Sequence, residues 1–252
     1  MKIFGYSERG AMNALFYGMA FDKENGKTSL EKFLKIAIIE NADEYMDFNL
    51  YMECSLSDFG DPDLVIIAKK NEKEQDVFFI EAKVSHRGKF SLKKQRQEHN
   101  EYCGNGGKEK NDNKYDASNL FFQLRLKELF YSTNEKNEIK DNDSHDERIK
   151  CKKGKKGKEN FRSIGKNEIV GKFARIIKEG DKRNSYYIAI IPKCEECQEP
   201  RVDKYDNIDI HLVPWECILK SEVLRKYLEE TIKFNQVKAT SQIFNNPLPN
   251  NE

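Results

Sequence analysis

The residues best suited to chemistry lie in one stretch, 59 to 85, which reads FGDPDLVIIAKKNEKEQDVFFIEAKVS. Two apolar runs, 64–68 and 77–80, are separated by charged residues and predict neighbouring strands joined by a hairpin loop. Asp61 and Asp63 precede the first run, and Glu81 and Lys83 close the second. Side chains two apart on a strand share a face, so Glu81 and Lys83 point the same way. A hairpin symmetric about its loop sets residue 63 opposite residue 83, and directly opposed residues also share a face. Asp63, Glu81 and Lys83 would then gather at the open end of the hairpin.

Carboxylates brought together repel unless a cation sits between them. Two hard carboxylate oxygens suit Mg²⁺, with Mn²⁺ able to substitute, and water and a substrate phosphate complete the octahedron. A lysine beside them can orient an attacking water and offset charge developing on the phosphate. This is equipment for phosphodiester hydrolysis. Glu-x-Lys alone says little in a chain that is 35% charged; Glu138 and Lys140 form another inside a polar segment. Pro-Asp, by contrast, occurs once among six prolines, at Pro62-Asp63, where it opens an apolar strand. The competing reading is solvated strand ends, and it suits Asp61, a loop acid.

These residues need elements to hold them. Ala11, Leu15, Phe16 and Met19 lie at helical spacing after Ser7, a natural N-cap. A second helix is expected over roughly 29 to 43, with Thr28 and Glu31 as a capping box. Residues 47–56 alternate and read as a strand ahead of the hairpin. The polar, Gly-containing stretch 86 to 116 reads as loop. Residues 117–131, ASNLFFQLRLKELFY, form an amphipathic helix on Leu120, Phe121, Leu124, Leu126, Leu129 and Phe130. A Lys/Asn-rich flexible insertion spans 133–162. A helix near 167–180, strands at 185–192 and 208–215, and a helix from 221 complete the order. The expected class is α/β, a central mixed sheet flanked by helices in one domain over 1–252.

Pro62-Asp63, followed across a short hairpin by Glu81-Ala82-Lys83, resembles the PD-(D/E)XK nuclease superfamily. The resemblance implies a restriction-endonuclease-like core of helix, three strands, helix and strand, covering about 7–132 plus strands near 185–215. SERGAMNAL at the amino-terminal end is similar to the opening helix of archaeal Holliday-junction resolvases, where a Glu-Arg pair starts that helix. On this resemblance Glu8 joins Asp63 and Glu81 as a metal ligand. The helix dipole alone also favours an acid in a first turn, by about 0.3–1 kcal/mol. Some members carry an auxiliary glutamine on the helix after the third strand. Gln123 sits in such a helix, and Gln95 and Gln97 are nearer in sequence.

The implied activity is that of a Mg²⁺-dependent endodeoxyribonuclease of restriction or repair type, with DNA as partner. The alternative is a nucleic-acid-binding module on the same fold that does not cut. Cutting both strands calls for a homodimer. Net charge is only +1, so attraction to DNA must come from local patches. Arg87, Lys89, Lys93 and Lys94 form one just past the site, and six lysines within 150–158 form another.

Other chemistries find less support. NGKTSL imitates the end of a phosphate-binding loop, but the glycine required five residues before Gly26 is Phe21. Cys194 and Cys197 have zinc-ligand spacing, with His211 and Cys217 downstream. A lone CxxC does not make a structural Zn²⁺ site, and none is expected here. His86, His99 and His145 lie in polar stretches with no nucleophile beside them. There is no apolar signal core and no run near the length of a membrane span. Six cysteines spread over 252 residues do not form a disulfide framework, which points to a reducing cytoplasm.

Overall fold

The computed structural model of the chain describes residues 8–84, 90–104, 119–132, 139–140, 161–162, 168–179, 182–206 and 208–237. The chain begins with α1 (Glu8–Phe21), α2 (Gly26–Ile36), β1 (Asp47–Met52), β2 (Leu64–Lys69) and β3 (Glu74–Ala82). It continues with α3 (Leu92–Gly104), α4 (Leu120–Ser132), β4 (Ile139–Lys140), β5 (Phe161–Arg162) and α5 (Glu168–Ile177). It closes with β6 (Lys182–Ile191), β7 (Arg201–Tyr205), β8 (Ile208–Pro214), α6 (Trp215–Leu219) and α7 (Glu222–Val237). Two compact units result, the first from 1–52, 63–92 and 180–252, the second from 53–62 and 93–179.

The first unit is α/β, built on a six-stranded mixed sheet in the order β1-β2-β3-β6-β8-β7. β1, β2 and β3 pair antiparallel in succession, β6 lies parallel to β3, and β8 parallel to β6. β3 is the hinge of this arrangement. It pairs with β6 along its whole length, from Glu74↔Lys182 to Ala82↔Ile190. That second partner makes it a nine-residue strand, longer than the apolar run 77–80 alone predicts.

The hairpin register differs from the symmetric one expected. Leu64 stands opposite Ile80, and Lys69 opposite Gln75. The side chain of Asn71 accepts the Lys73 and Glu74 N–H groups at 2.9 and 3.0 Å, closing a tight turn that starts β3 at Glu74. Residue 63 therefore falls against 81 and not 83. Because side chains repeat every two residues, a slip of two keeps the same set on the same face.

Even-numbered residues of the central strands, among them Leu64, Ile66, Phe78, Ile80, Ile188 and Ile190, pack into a core with α1, α2, α6 and α7. Odd-numbered Val65, Ile67, Val77 and Phe79 are buried as well. Strands enclosed on both faces read as continuous apolar runs, as these do. At one end of β3, buried Asp76 accepts bonds from Tyr45 Oη (2.6 Å), Asn184 Nδ2 (2.8 Å) and the Asn184 N–H, and pairs with Lys70 at 3.2 Å.

The helices are tied together by Asp22, which follows α1. It accepts from Lys226 Nζ at 2.8 Å, Tyr227 Oη at 2.9 Å and the Asn25 N–H at 2.9 Å. These donors hold its carboxyl well below the usual range. α2 starts three residues earlier than expected, so Thr28 lies inside it, and Asn25 at the N-cap makes no side-chain capping bond. A Cβ on Gly26 would run into the Met19 carbonyl oxygen. α2 also stops early, at Ile36, where Ile38 turns to φ 61° and the Ile39 N–H reaches back to the Leu34 carbonyl.

In the second unit α4 is capped by Asn119, whose Oδ1 accepts the Phe121 and Phe122 N–H groups at 3.1 and 3.2 Å. Gln95 of α3 accepts the Leu120 N–H at 2.9 Å, which joins the two helices. Lys127 is 1% exposed and donates to the Phe59 carbonyl at 3.1 Å. Gly60 follows at φ 74°, a conformation that favours glycine. β4 and β5 pair with each other alone. Most of the Lys/Asn-rich stretch, including the lysines of 150–158, lies outside the described residues. No helix among the described residues is long and apolar enough to cross a membrane.

Candidate active site

The candidate site forms where β2 ends and β3 has not. β2 begins at Leu64, so past Ile80 the β3 backbone has no strand beside it on that side. The Ala82 N–H takes the Asp63 carboxylate in its place, at 2.7 Å from Oδ2. A charged acceptor on a buried N–H is among the stronger hydrogen bonds. It fixes the Asp63 side chain beside the end of β3.

Glu81 continues the odd-numbered face of β3 and is 1% exposed. Lys83, one residue past the strand, is buried in the same row of the sequence pattern. Its ammonium lies 3.8 Å from Oε1 of Glu8, the first residue of α1. Three separate elements thus bring Glu8, Asp63, Glu81 and Lys83 to one end of the sheet.

Their electrostatics are coupled. Burial pushes the Glu8 carboxyl up to about 7, and the negative charge of Asp63 adds to that rise. Lys83 and the Val84 N–H work against it. The Glu8 carboxyl therefore keeps its proton to higher pH than an ordinary glutamate. An added cation would relieve the repulsion that Asp63 imposes and favour the ionised form.

The donor set is all carboxylate oxygen, which suits Mg²⁺ or Mn²⁺ and not a soft metal. Among the described residues no three His, Cys, Asp or Glu side chains stand close enough to hold a metal ion as a ready-made group. Two carboxylates with water filling the remaining positions is a common magnesium arrangement. Asp63 and Glu81 are the carboxylates here that could hold such an ion, and Glu8 stands beside Lys83.

The remaining expected residues belong to other elements or lie outside the described residues. Gln123 is in α4, within the second compact unit. Gln95 is committed to the start of α4, and Gln97 donates to Glu101 at 2.8 Å. Lys93 and Lys94 are exposed on α3, with Lys94 3.7 Å from Glu98. Arg87, Lys89, His86 and His145 lie outside the described residues. His99 is buried at 1% exposure. His211 is bonded through Nδ1 to the Ala37 carbonyl at 2.7 Å. Cys194 and Cys197 pair their main chains, and the Cys217 thiol donates to Glu199 Oε2 at 3.3 Å.

One contact at the site has no counterpart among the expected residues. The indole N–H of Trp215 donates to the Lys83 carbonyl at 2.9 Å, across 132 positions of sequence. Comparison of the chain with protein-family models, with curated proteins and with solved structures finds no match.

Proposed function

We propose that this chain is a Mg²⁺-dependent nuclease that hydrolyses DNA phosphodiester bonds, an endonuclease of restriction or repair type. The observation that carries the proposal is the convergence of Glu8, Asp63 and Lys83 on the end of β3 next to Glu81. The strand order supports a restriction-endonuclease-like core as well. α1 and α2 are followed by three antiparallel strands, and β6 joins β3 in parallel after three intervening helices, α3, α4 and α5.

In this mechanism Asp63 and Glu81 would hold the ion, with Glu8 as a third carboxylate once it is ionised. Bound magnesium supplies charge neutralisation at the phosphate and a more acidic water. Lys83 orients the attacking water with its ammonium and offsets negative charge that builds on the phosphoryl oxygens. Burial around Glu81 and Lys83 strengthens those interactions, because charges act more strongly where water is excluded. The Asp63 bond to Ala82 holds a first ligand rigid before substrate arrives.

A paired cleavage assay tests this. Plasmid, linear duplex and branched DNA are incubated with wild-type protein and Lys83→Ala, each with Mg²⁺, Mn²⁺ or EDTA. Metal-dependent cutting by wild type alone is the expected outcome, and the preferred substrate separates restriction from repair activity. DNA bound without cutting on any substrate would replace the nuclease with a binding module on the same fold. Equal cutting by both proteins would remove Lys83 from the mechanism.

A further inference from the structure

The end of β3 contains a gap in its hydrogen bonding that the sequence itself creates. In a parallel pair, one residue gives its N–H to the partner strand and receives an N–H from the residue two further along that partner. Lys83 follows the first half of the rule, donating its N–H to the Ile190 carbonyl at 2.8 Å. The register, Ala82↔Ile190, then assigns the second half to residue 192. Residue 192 is proline and has no N–H to give. The Lys83 carbonyl would be left without its ladder donor in a buried position.

Trp215 supplies the missing donor. It is the sole tryptophan of the chain and fully buried, at 0% exposure. It opens α6 directly after β8 ends at Pro214. The next residue, Glu216, accepts the Lys193 N–H at 2.8 Å, so the first two residues of α6 take up the carbonyl across from Pro192 and the N–H that follows it. The backbone at 82–83 is thereby held from three directions, by Asp63, by Ile190 and by Trp215.

We propose that Trp215 is a positioning residue for Lys83, an indole N–H standing in for the strand hydrogen bond that Pro192 cannot make. It touches no reacting atom in this role. It acts by fixing the main chain from which the Lys83 ammonium projects. The inference rests on the nuclease assignment for its catalytic consequence, and on the hydrogen-bond geometry alone for its structural one.

Because the chain has one tryptophan, biosynthetic replacement by the benzothienyl analogue changes this position only. The analogue keeps the bicyclic shape and carries a sulfur, which cannot donate, in place of the N–H. The expected result is a fall in kcat of about 10- to 100-fold with KM unchanged, and amide exchange at Lys83 about tenfold faster in metal-free protein. Trp215→Phe should behave alike, and adding Pro192→Ala should restore kcat and protection by returning an N–H to the ladder. Unchanged kcat and exchange in the analogue, or loss that Pro192→Ala does not repair, would overturn the proposal. If wild-type protein cuts no DNA, the nuclease assignment fails by itself. The exchange experiment then still decides whether Trp215 holds Lys83.

Discussion

Under the proposed function Asp63 carries two separable duties, and substitution can part them. Its Oδ2 accepts the Ala82 N–H at 2.7 Å, and Ala82 is fully buried. Asp63→Ala leaves that N–H without an acceptor and without water, a cost of about 1–3 kcal/mol. Asp63→Asn keeps an oxygen for it and trades a charged acceptor for a neutral one, at about 1 kcal/mol. Both variants remove the negative charge that helps to raise the Glu8 carboxyl, so that effect cancels between them. Alanine should therefore lie about 1–2 kcal/mol below asparagine, or roughly 3–6 °C in Tm for a chain of this size. Thermal melts of the three proteins in EDTA read the difference. Cleavage with Mg²⁺ reads the other duty, since neither variant offers a carboxylate and both should be inactive. Equal melting of the two variants would mean that Asp63 does not hold Ala82. Wild-type cleavage by Asp63→Asn would mean that it does not hold the ion.

Four further outcomes follow from the same structure. The Glu8 carboxyl, raised to about 7, binds a proton in the folded state that the unfolded chain has already released, so metal-free stability falls as pH climbs from its ordinary 4.5 through 7. Urea midpoints at about pH 5 and about pH 8 should differ more for wild type than for Glu8→Gln, and equal differences would refute the linkage. The sole tryptophan adjoins Lys83, so Mg²⁺ should change intrinsic fluorescence in wild type and leave it unchanged in Asp63→Ala. Gly18→Ala should destabilise by about 1–2 kcal/mol net of its helix preference, because the new Cβ would lie 2.7 Å from Tyr227 Cδ1; a Tm at or above wild type would show that α1 and α7 can part without cost. Replacing Lys93 and Lys94 by glutamine should lower the salt slope of DNA binding by about 1–2 if both meet phosphates, and an unchanged slope would leave them a solvated face.

The legible parts of this chain are those that local pattern determines. The runs around Pro62-Asp63 and Glu81-Ala82-Lys83 mark two strands without outside help, because apolar residues there are contiguous and bounded by charge. α4, α5 and the start of α7 show helical periodicity for the same reason. α3 is hidden because only Leu92 and His99 among its described side chains are buried, so its sequence resembles a polar loop. β7 is hidden because it is an edge strand with Arg201, Val202 and Lys204 exposed. The boundaries of α2 differ from the sequence expectation because Thr28 and Glu31 imitate a cap, while the limits are set by a backbone contact at Gly26 and a left-handed turn at Ile38.

For the candidate site, residue type and spacing picked out the acids and the lysine that the structure brings to one end of the sheet, but not what fixes them there. The register of β2 on β3 depends on a side-chain turn at Asn71, and the parity of the error, two residues, is what left the cluster intact. Trp215 had a signal that went unused. A proline directly after an apolar strand removes one N–H from any parallel neighbour, and the neighbour's orphaned carbonyl must be met by something. Which strand is the neighbour is a fact of topology, out of reach of a window on the sequence. Once β6 is known to run parallel to β3, Pro192 points to the Lys83 carbonyl, and a buried N–H donor near the ends of β3 and β8 becomes a requirement of the fold.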